Sequence, residues 1–547
     1  MAVDNLANAL GSPGKFQMIL YLMLCCNTFF VSWNHLGMAF MGAKTKHHCK
    51  LMENKSNIDD FVPLVKKGGK TEWDGCNLYV NASTKEKESC QNGWTYYFKG
   101  HEKTIISEWD LVCDNAYKAS LATTIYFCGV MVGGLVFGTL SDKFGRRPVL
   151  LFCLYSPCIL GILLFLIRDY IAFVILRFIL GLVLQGLQAS FYITIVELFA
   201  LKYRSNVGTV QVLFWAFGVM LLALISFVVQ DWKYIQLFIT LTTFLQIGLI
   251  WFLPESFRWL AAQKRFDKAE EVVTRIVKFN NLEFPRDVFD DMVEKNKNDE
   301  KTPTSKKYTI IDLFRFRVLR KRSVILAWIW FSTSIGYYGI SLNISSLAGN
   351  KYLNFFIGGL LELMAYLLTV FVTERFGRRK PLCTYLMMGS VMNIAAGVLS
   401  EKADSDALQN LTTALAIVGK VGFAGSFSVL FIYTSELFPT EIRNVGLGAC
   451  ASWARFGGVI APQILLLGKK NRKSVPFIIF GCFAFIASLS SLLLFETLRK
   501  KLADTILEAE QDSDANDACV EVNIALTNDP SAKTDDDSLL PKNGSKQ

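Results

Sequence analysis

Three ionisable side chains, Glu362, Lys420 and Arg455, lie inside long apolar stretches of this 547-residue sequence. A charged group in such a stretch is costly, so each is a candidate for binding an ionic ligand. The guanidinium fork of Arg455 suits a carboxylate, and Glu362 suits an ammonium group. Two alternatives stay open. Arg455 pairs with Glu362 or a backbone carbonyl and only holds helices together, or Lys420 neutralises Glu362 and leaves Arg455 as the lone fixed charge.

Aromatic and amide side chains in the same stretches complete the candidate binding residues. Aromatic ring faces attract cations, and phenol and amide groups can form hydrogen bonds with a ligand. The alternative for each of them is packing in the core or facing lipid. The set comprises Tyr192, Trp215, Trp330, Tyr337, Tyr338, Phe355 and Phe427 for the ring faces, and Tyr338, Asn34 and Asn343 for hydrogen bonds.

One short basic turn occurs twice, as SDKFGRRP at 141–148 and TERFGRRKP at 373–381. Its glycine allows a tight reversal, and its acid can form a strong pair with an arginine. Matching acids and arginines recur at offsets of 232, 239 and 241 residues, which indicates a duplicated unit. The alternative is that the basic residues only fix topology, but this does not explain the matching acids. We expect a cytoplasmic gate formed by Asp142, Arg146, Arg147, Glu197, Arg204, Glu255, Arg258, Glu374, Arg378, Arg379, Glu436, Arg443, Glu496 and Arg499.

The elements that carry these residues are apolar stretches of bilayer length. The chain is 52% hydrophobic with a mean hydropathy of +0.33, and about 20 apolar residues suffice to cross a bilayer as a helix. Twelve stretches qualify, in two groups of six: 16–41, 117–140, 148–167, 171–200, 206–229 and 233–253, then 323–346, 351–373, 382–400, 408–436, 444–467 and 475–496. The sequence therefore predicts an all-α polytopic membrane protein, and a parallel repeat of six spans is typical of the major facilitator fold, with its ligand between the halves.

Basic residues predict the orientation in the membrane. Lys and Arg follow the second, fourth and eighth stretches, which places those loops and both termini in the cytoplasm. The segment LGKKNRKSV at 467–475 is an exception on the outer side. The N-terminus has no basic region or cleavage site typical of a removable signal peptide, so none is expected.

The polar stretch 43–115 is then extracellular. It contains four cysteines, Cys49, Cys76, Cys90 and Cys113, and an even number in an oxidising compartment predicts two disulfides with three possible pairings. Asn54 and Asn81 begin glycosylation sequons. The adjacent His47 and His48 are an alternative as zinc ligands, but no metal or other cofactor is expected.

The remaining segments complete a five-part organisation. Residues 1–15 are a cytoplasmic N-terminus, 16–253 the first bundle with its extracellular loop, and 254–322 a cytoplasmic loop. Within that loop Ala269, Val272, Val273, Ile276 and Val277 recur at helical spacing, which favours an amphipathic helix. The second bundle is 323–497. The tail 498–547 is rich in Asp, Ser and Asn after about residue 505, a composition typical of disorder.

Longer motifs resemble the organic cation/anion/zwitterion transporter family of solute carriers, from residue 14 to about 500. The basic turn and PESFRWL at 254–260 are shared with sugar porters. The large cysteine-bearing loop and its ending WDLVCD at 109–114 are more specific to the family. YYGISLN at 337–343 with GNKYLNFF at 349–356 is most similar to the carnitine and organic-cation-like branches.

The resemblance implies alternating-access transport of small organic cations or zwitterions, such as carnitine-like compounds, in the plasma membrane. In the family the position of Arg455 is acidic in strict cation transporters and arginine in anion and zwitterion branches. A co-transported ion or counter-substrate remains open. No phosphate loop is present and no hydrolytic or redox constellation stands out, so we expect no enzyme; no nucleic-acid partner is expected. Alternatives are an organic anion exchanger using Arg455, a sugar porter, and a transport-inactive receptor or scaffold.

Overall fold

The structure is a computed structural model of the chain. It describes residues 2–11, 13–51, 61–67, 70–80, 85–97, 101–246, 248–298, 308–402, 405–470, 472–500 and 503–511. Asn54, Asn81 and the tail beyond residue 511 therefore lie outside the described residues.

Twelve helical spans form the body of the part of the chain that the structure describes. Within the described residues, eleven are long and apolar enough to cross a membrane, and the twelfth is an apolar helix of 17 residues continued by a turn at Leu492–Leu494. Spans 1 to 6 are Lys15–Leu36 with Met38–Met41, Tyr117–Phe144, Arg146–Leu166, Tyr170–Leu198, Leu201–Val229, and Trp232–Thr243 with Phe244–Gln246 and Leu249–Phe252. Spans 7 to 12 are Arg317–Asn343, Lys351–Phe376, Arg379–Glu401, Asp406–Leu437, Arg443–Lys470 and Val475–Ser491.

The spans pack as two bundles related by the repeat. Between the bundles, span 2 packs on span 11 and span 5 packs on span 8. A shift of six spans exchanges these two contacts, so the interface has the pseudo-symmetry that the duplicated motifs predict. The duplicated sequence therefore builds a molecule with one central interface.

Two sides of the molecule are distinguished below. The loop side carries residues 43–115, and the basic side carries the turns at Gly145 and Gly377. Spans 4, 6, 8 and 10 begin on the loop side, and each is capped by a local side chain whose oxygen accepts a backbone N–H bond. These caps are Asp169, Asp231, Asn350 and Ser405.

The described part of the loop 43–115 contains three two-stranded antiparallel sheets, the short helix Ile105–Glu108 and two disulfides. Strand β1, Lys46–Cys49, pairs with the last strand of the loop, β6, Trp94–Tyr97. The other two sheets are hairpins: β2, Leu64–Lys67, with β3, Lys70–Trp73, and β4, Asn77–Tyr79, with β5, Lys87–Ser89. Cys49 bonds to Cys90, and Cys76 bonds to Cys113. Because this segment has little apolar core of its own, covalent links are the natural way to hold it.

On the basic side, short helices cover the ends of the bundles. They are Ala2–Ala9, Phe257–Ala262, Phe266–Asn280, Arg286–Asn298 and Ile310–Arg315. Ala269, Val273, Ile276 and Val277 are buried, so the apolar face of Phe266–Asn280 packs inward. Residues 506–511 are helical, and the Val318 N–H donates to Glu510 at 2.8 Å. The predicted disorder from about residue 505 is therefore wrong for 506–511, because the buried Ile506 and Ala509 attach this segment to the second bundle.

Candidate functional site

The structure brings Glu362 of span 8 and Lys420 of span 10 into one buried ion pair. Lys420 Nζ lies 3.1 Å from Glu362 Oε2, and both side chains are fully buried. Of the alternatives open from the sequence, Lys420 therefore neutralises Glu362 in this state. Neither Nζ nor Oε2 makes a hydrogen bond of good geometry with the described residues, so the pair is held mainly by charge.

Two tyrosines hold the other oxygen of the Glu362 carboxylate. Tyr337 and Tyr366 each donate a hydroxyl hydrogen bond to Oε1 at 2.7 Å. Trp215 of span 5 in turn donates its indole N–H to the Tyr337 hydroxyl at 2.7 Å. The Glu362–Lys420 pair and its two tyrosines form a charged centre in the second bundle. The indole of Trp215 links this centre to the first bundle.

Arg455 makes no ion pair with the described residues, which contrasts with Lys420. It donates to the backbone carbonyl of Ala451, four residues earlier on span 11, and its charge acts on Tyr338 of span 7 and His35 of span 1. Glu362 is occupied by Lys420. The predicted alternative of an Arg455–Glu362 pair is therefore wrong for this state.

Some of the other predicted binding residues lie beside the Glu362–Lys420 pair, and others lie away from it. Phe355, Tyr338 and Phe427 lie at the centre: Phe355 is 5.4 Å from Lys420 Nζ, and Phe427 packs edge-on against Tyr337. Trp330 lies deeper in the second bundle, where it donates to Thr434 at 3.0 Å. Tyr192 is partly buried on span 4.

The two predicted amides do not meet the charged pair. Asn34 is buried on span 1 and donates to the Phe30 carbonyl, with no described partner for Oδ1. Asn343 ends span 7 on the loop side, where Ser346 donates to its backbone carbonyl at 2.8 Å. Its position at a helix end separates it from the central group, and its contact with a ligand stays a prediction.

Sequence reasoning missed a fourth ionisable residue inside a span. Arg177 of span 4 is 1% exposed, and its Nε, Nη1 and Nη2 atoms have no hydrogen-bond partner among the described residues. Its guanidinium carbon lies 4.3 Å from the centre of the Tyr126 ring. Glu362 was selected because it is an ionisable residue inside an apolar stretch. Arg177, inside the stretch 171–200, meets the same criterion.

His35 was also missed as a central residue. Its Nδ1 lies 3.0 Å from the Tyr126 hydroxyl and 2.9 Å from the Val31 carbonyl oxygen. Rings of both bundles surround it, including Trp215 at 6.0 Å and Tyr338 at 6.3 Å. In the sequence His35 lies near the outer end of the stretch 16–41, and periodicity does not tell which rings converge on one side chain.

Contacts between the bundles lie in the loop-side parts of the spans. Lys351 of span 8 forms a 2.8 Å ion pair with Glu102, and Tyr352 donates to the same carboxylate at 3.1 Å. Phe40 stacks on Tyr352 at 5.5 Å between ring centres. Closer to the middle, Gln463 of span 11 donates to Thr124 of span 2 at 2.8 Å. The loop side is therefore closed.

Spans 2 and 11 separate toward the basic side. A Cβ atom added at Gly458 would lie 2.8 Å from the Phe127 ring. Gly138 and Gly448 lie three turns further toward the basic side on the same faces as Phe127 and Val459, and a Cβ at either would meet nothing within 4 Å. The interface is thus tight on the loop side and open on the basic side.

The duplicated turns adopt the same geometry in both bundles. Gly145 and Gly377 have φ of 107° and 89°, a region that side chains strongly disfavour. Arg146 contacts Glu197 at 3.0 Å, and Arg378 contacts Glu436 at 3.0 Å. The sequence predicts a cytoplasmic gate from these charges; in this state, in which the basic side is open, these ion pairs join residues of one bundle.

A remote carboxylate caps the helix that follows each turn. Glu255 accepts the Arg146 N–H at 2.8 Å, and Glu496 accepts the Arg378 N–H at 2.8 Å. Both bonds satisfy N–H groups that have no partner inside the helix. Each turn therefore ties the beginning of span 3 or 9 to the segment after span 6 or 12.

The backbone N–H groups around Glu496 set its pKa. Burial raises the pKa, but bonds from the N–H groups of Arg378, Leu498, Arg379 and Thr497 outweigh burial and hold the pKa below its usual value. A lowered pKa means that the cap contributes fully above about pH 4.3, the ordinary glutamate value, and is lost as pH falls through the lowered pKa.

The other gate candidates lie around these turns. Arg147 donates to the Ile250 carbonyl, Arg258 pairs with Asp4 at 2.8 Å, and Arg443 donates to Thr440 at 3.2 Å. Asp142 is 72% exposed and pairs with Arg146 at 2.7 Å. The remaining members, located on the same side by their backbone, are Arg204, Glu374, Arg379 and Arg499.

His47 and His48, the alternative zinc ligands, do not share a site. His47 and His48 are adjacent on strand β1, so their side chains point to opposite faces. His47 lies near Cys76 and Cys113, but those two sulfurs form a disulfide and cannot act as thiolate ligands.

Comparisons with known proteins agree with this architecture. Residues 71–505 match the family model described as sugar (and other) transporter. The organic cation transporter protein of Drosophila melanogaster is 32% identical over 526 residues, covering 93% of this chain and 95% of that protein. Organic cation/carnitine transporter 2 of Homo sapiens is 29% identical over 526 residues, covering 92% and 93% of the two chains.

A solved structure shares the fold. The inward open conformation of the xylose transporter XylE from E. coli aligns with a TM-score of 0.62 and 16% identity, covering 89% of this chain and 98% of that one. Solute carrier family 22 member 6-A of Xenopus laevis is 30% identical over 534 residues, covering 93% and 94% of the two chains. The chain therefore belongs to the sugar (and other) transporter family, within its group of organic cation transporters and solute carrier family 22 members, and it is a multi-pass membrane transporter of the major facilitator fold rather than an enzyme.

Proposed function

We propose that this transporter carries small organic cations or zwitterions, such as carnitine-like compounds, across the plasma membrane by alternating access. The basic side faces the cytoplasm, in keeping with the positive-inside bias. The observation that carries the proposal is the charged centre between the bundles, where Arg455 has no described carboxylate partner and Glu362 lies among aromatic rings. The names of the relatives, organic cation transporter and organic cation/carnitine transporter, support the same substrate class.

Each end of a zwitterion has a candidate partner. A carboxylate would accept hydrogen bonds from the Arg455 guanidinium, which offers a planar fork of donors. The ring face of Tyr338, close to Arg455, would cover the apolar part of the ligand. The ammonium end would lie toward Glu362. A substrate that has both charges therefore matches the centre better than one that has either alone.

The transport cycle follows from a closed loop side and an open basic side. In the opposite state the loop-side contacts, such as the Lys351–Glu102 pair, would break and the basic turns would approach each other. The charges at Arg146, Glu197, Arg378 and Glu436 would then act as the cytoplasmic gate. A free-energy change of about 1.4 kcal/mol at either end shifts the two populations tenfold.

Exchange of organic anions is the second candidate function. Arg455 and the buried Arg177 both have no described carboxylate partner, so the centre has excess positive charge. An anion would neutralise it. Such an exchanger would prefer dicarboxylates over quaternary ammonium compounds.

Uptake into liposomes that contain the purified protein tests both candidates. The probes are carnitine, tetraethylammonium and a dicarboxylate, each with and without a sodium gradient. We expect carnitine and tetraethylammonium to exceed the dicarboxylate. The variant Arg455→Gln should lower carnitine uptake roughly tenfold or more, since a hydrogen bond to a charged group contributes about 1.5–3 kcal/mol, while tetraethylammonium uptake stays within about twofold.

Arg472→Gln is the matched control, because Arg472 is an exposed arginine of the loop side that pairs with Glu401. It should leave carnitine uptake unchanged. Preference for the dicarboxylate in the unaltered protein would favour the anion exchanger instead, and equal loss of carnitine and tetraethylammonium in Arg455→Gln would contradict the carboxylate role. Arg455→Asp should shift the preference toward cations without a carboxylate.

A further inference from the structure

The ammonium group of Lys420 occupies a cage with the composition of a cation-binding site. The centre of the Tyr337 ring lies 5.3 Å from Nζ and that of Phe355 lies 5.4 Å from it. Glu362 Oε2 is the nearest charged atom, at 3.1 Å. Two ring faces and a carboxylate around one ammonium are the groups that proteins use to bind alkylammonium ligands.

Groups other than Lys420 hold the carboxylate of the cage in position. Tyr337 and Tyr366 fix the Glu362 carboxylate through Oε1, so Oε2 stays directed at the cation position. Lys420 Nζ makes no hydrogen bond of good geometry with described residues. An ammonium in a purely structural pair is normally satisfied by hydrogen bonds, whereas that of Lys420 has the 3.1 Å contact with Oε2 and two ring faces around it.

Side chains of the first bundle cover the cage. Trp215 bonds to the Tyr337 hydroxyl, and Phe40 packs on Phe355 with 4.8 Å between ring centres. These contacts join the two bundles on the closed loop side. When the bundles separate on the loop side, Trp215 and Phe40 move away with the first bundle. The rings of Tyr337 and Phe355 and the Glu362 carboxylate then become accessible from the loop side.

We infer that Lys420 is a tethered occupant of the ammonium subsite, and that a substrate ammonium enters by displacing it from Glu362 Oε2. The inference rests on the proposed function and names Lys420 as a residue that sets specificity. Displacement lowers the affinity for cations that contribute only an ammonium. A zwitterion offsets that cost through its carboxylate at Arg455.

Chemical rescue tests the cage apart from transport. The variant Lys420→Ala removes the tethered ammonium and leaves space for a free one. Purified in detergent, it should have a lower thermal midpoint than the unaltered protein, because Glu362 loses its partner. Added n-propylammonium or methylammonium should restore the midpoint with saturation, since a ligand that binds only the folded state raises its stability. The unaltered protein should not respond.

The double variant Glu362→Gln/Lys420→Ala is the matched control, because it has the same cavity without the negative charge. It should not respond to either amine. Equal rescue in the double variant, or no rescue of a folded Lys420→Ala protein, would overturn the inference. Should Lys420→Ala not fold, Lys420→Gln retains most of the volume and serves in the transport arm.

The transport arm measures competition by tetramethylammonium against a labelled cation. In Lys420→Gln its half-inhibitory concentration should fall at least tenfold, whereas Lys402→Gln, at the exposed end of span 9, should leave it unchanged. An unchanged value in Lys420→Gln would overturn the displacement step. If the unaltered protein moves no organic cation, the proposed function fails, while the rescue experiment still decides whether the cage binds ammonium.

Discussion

At the scale of single residues, the protein contains buried charges in two different arrangements. Glu362 has a cation and two tyrosine hydroxyls, so its charge is compensated. Arg177 is equally buried, yet only the face of Tyr126 is close to its guanidinium. Removing an ion from water costs several kcal/mol unless hydrogen bonds and an opposite charge compensate. We therefore expect the charge of Arg177 to lower stability in this state.

Replacing Arg177 tests this interpretation. Arg177→Met keeps the volume and removes the charge, so the thermal midpoint of the purified protein should stay unchanged or rise, since buried ionic groups replaced by apolar ones are often neutral or stabilising by about 1–4 kcal/mol. Arg322→Met is the comparison, because Arg322 donates to the Leu437 carbonyl at 2.8 Å and packs over Phe495. It should lower the midpoint. A similar fall in both variants would show that Arg177 has a partner in the folded protein.

At the scale of elements, the basic turn is a joint rather than a simple loop. Its glycine takes a φ near +90°, its arginine bonds to an acid of the fourth or tenth span, and its following helix is capped by an acid beyond the sixth or twelfth span. Three segments distant in sequence therefore meet at one turn. The same three meet in each bundle, which explains why the motif and its remote acids are duplicated together.

Asp142 provides the test of the gate at this scale. Asp142→Asn should slow uptake by roughly threefold to tenfold at unchanged surface expression, because a shift of about 1 kcal/mol in the state equilibrium changes populations about fivefold. Uptake and surface biotinylation measure the two quantities. Asp291→Asn is the matched control, since Asp291 pairs with Lys295 at 2.7 Å with the same four-residue spacing on an exposed helix. Uptake equal to that of the control would mean that the basic residues only fix topology.

At the scale of the whole molecule, the two bundles form a wedge. They touch at Lys351 and Glu102, at Phe40 and Tyr352, and at Gly458 and Phe127, and they are apart at Gly138 and Gly448. Glu362, Lys420 and Arg455 lie where the loop-side contacts between the bundles end and the opening toward the basic side begins. A small change in the loop-side contacts therefore alters the side of the membrane from which a ligand has access to these charged residues.

Gly359 tests the equilibrium between the two states. A Cβ at Gly359 would lie 2.9 Å from Met220 Cγ and 3.2 Å from the Met220 backbone nitrogen, both in the other bundle. Overpacking of this kind costs about 1–3 kcal/mol, so Gly359→Ala should favour the state open on the loop side by roughly fivefold to 150-fold. The measurement is the rate of disulfide formation between cysteines placed at Glu102 and Lys351, which should fall.

Gly358→Ala is the matched control for that experiment. The same added atom at Gly358 would find its nearest neighbours at 3.7 Å or more, which is ordinary contact. The disulfide rate should match that of the unaltered glycine. Equal rates in both alanine variants would contradict a tight closure between spans 5 and 8.

The sequence by itself determined the fold, because bilayer length, apolar composition and a duplicated motif leave few architectures available to a chain. It also selected Glu362, Lys420 and Arg455, because a charge inside an apolar span is conspicuous in one dimension. The sequence did not determine which side chains these charged residues contact. Lys420 rather than Arg455 meets Glu362, and His35 and Tyr126 meet across spans 1 and 2, because such contacts depend on the rotation of each helix about its axis.

The state of the molecule was likewise decided only by the tertiary structure. Sequence motifs placed the basic turns at one end of both bundles, but the motifs are the same whether that end is open or closed. The contacts of Phe40, Trp215 and Lys351 across the loop side depend on the relative tilt of the bundles. That tilt depends on how the side chains of the two bundles pack against each other, and it cannot be derived from the hydrophobic periodicity of the sequence.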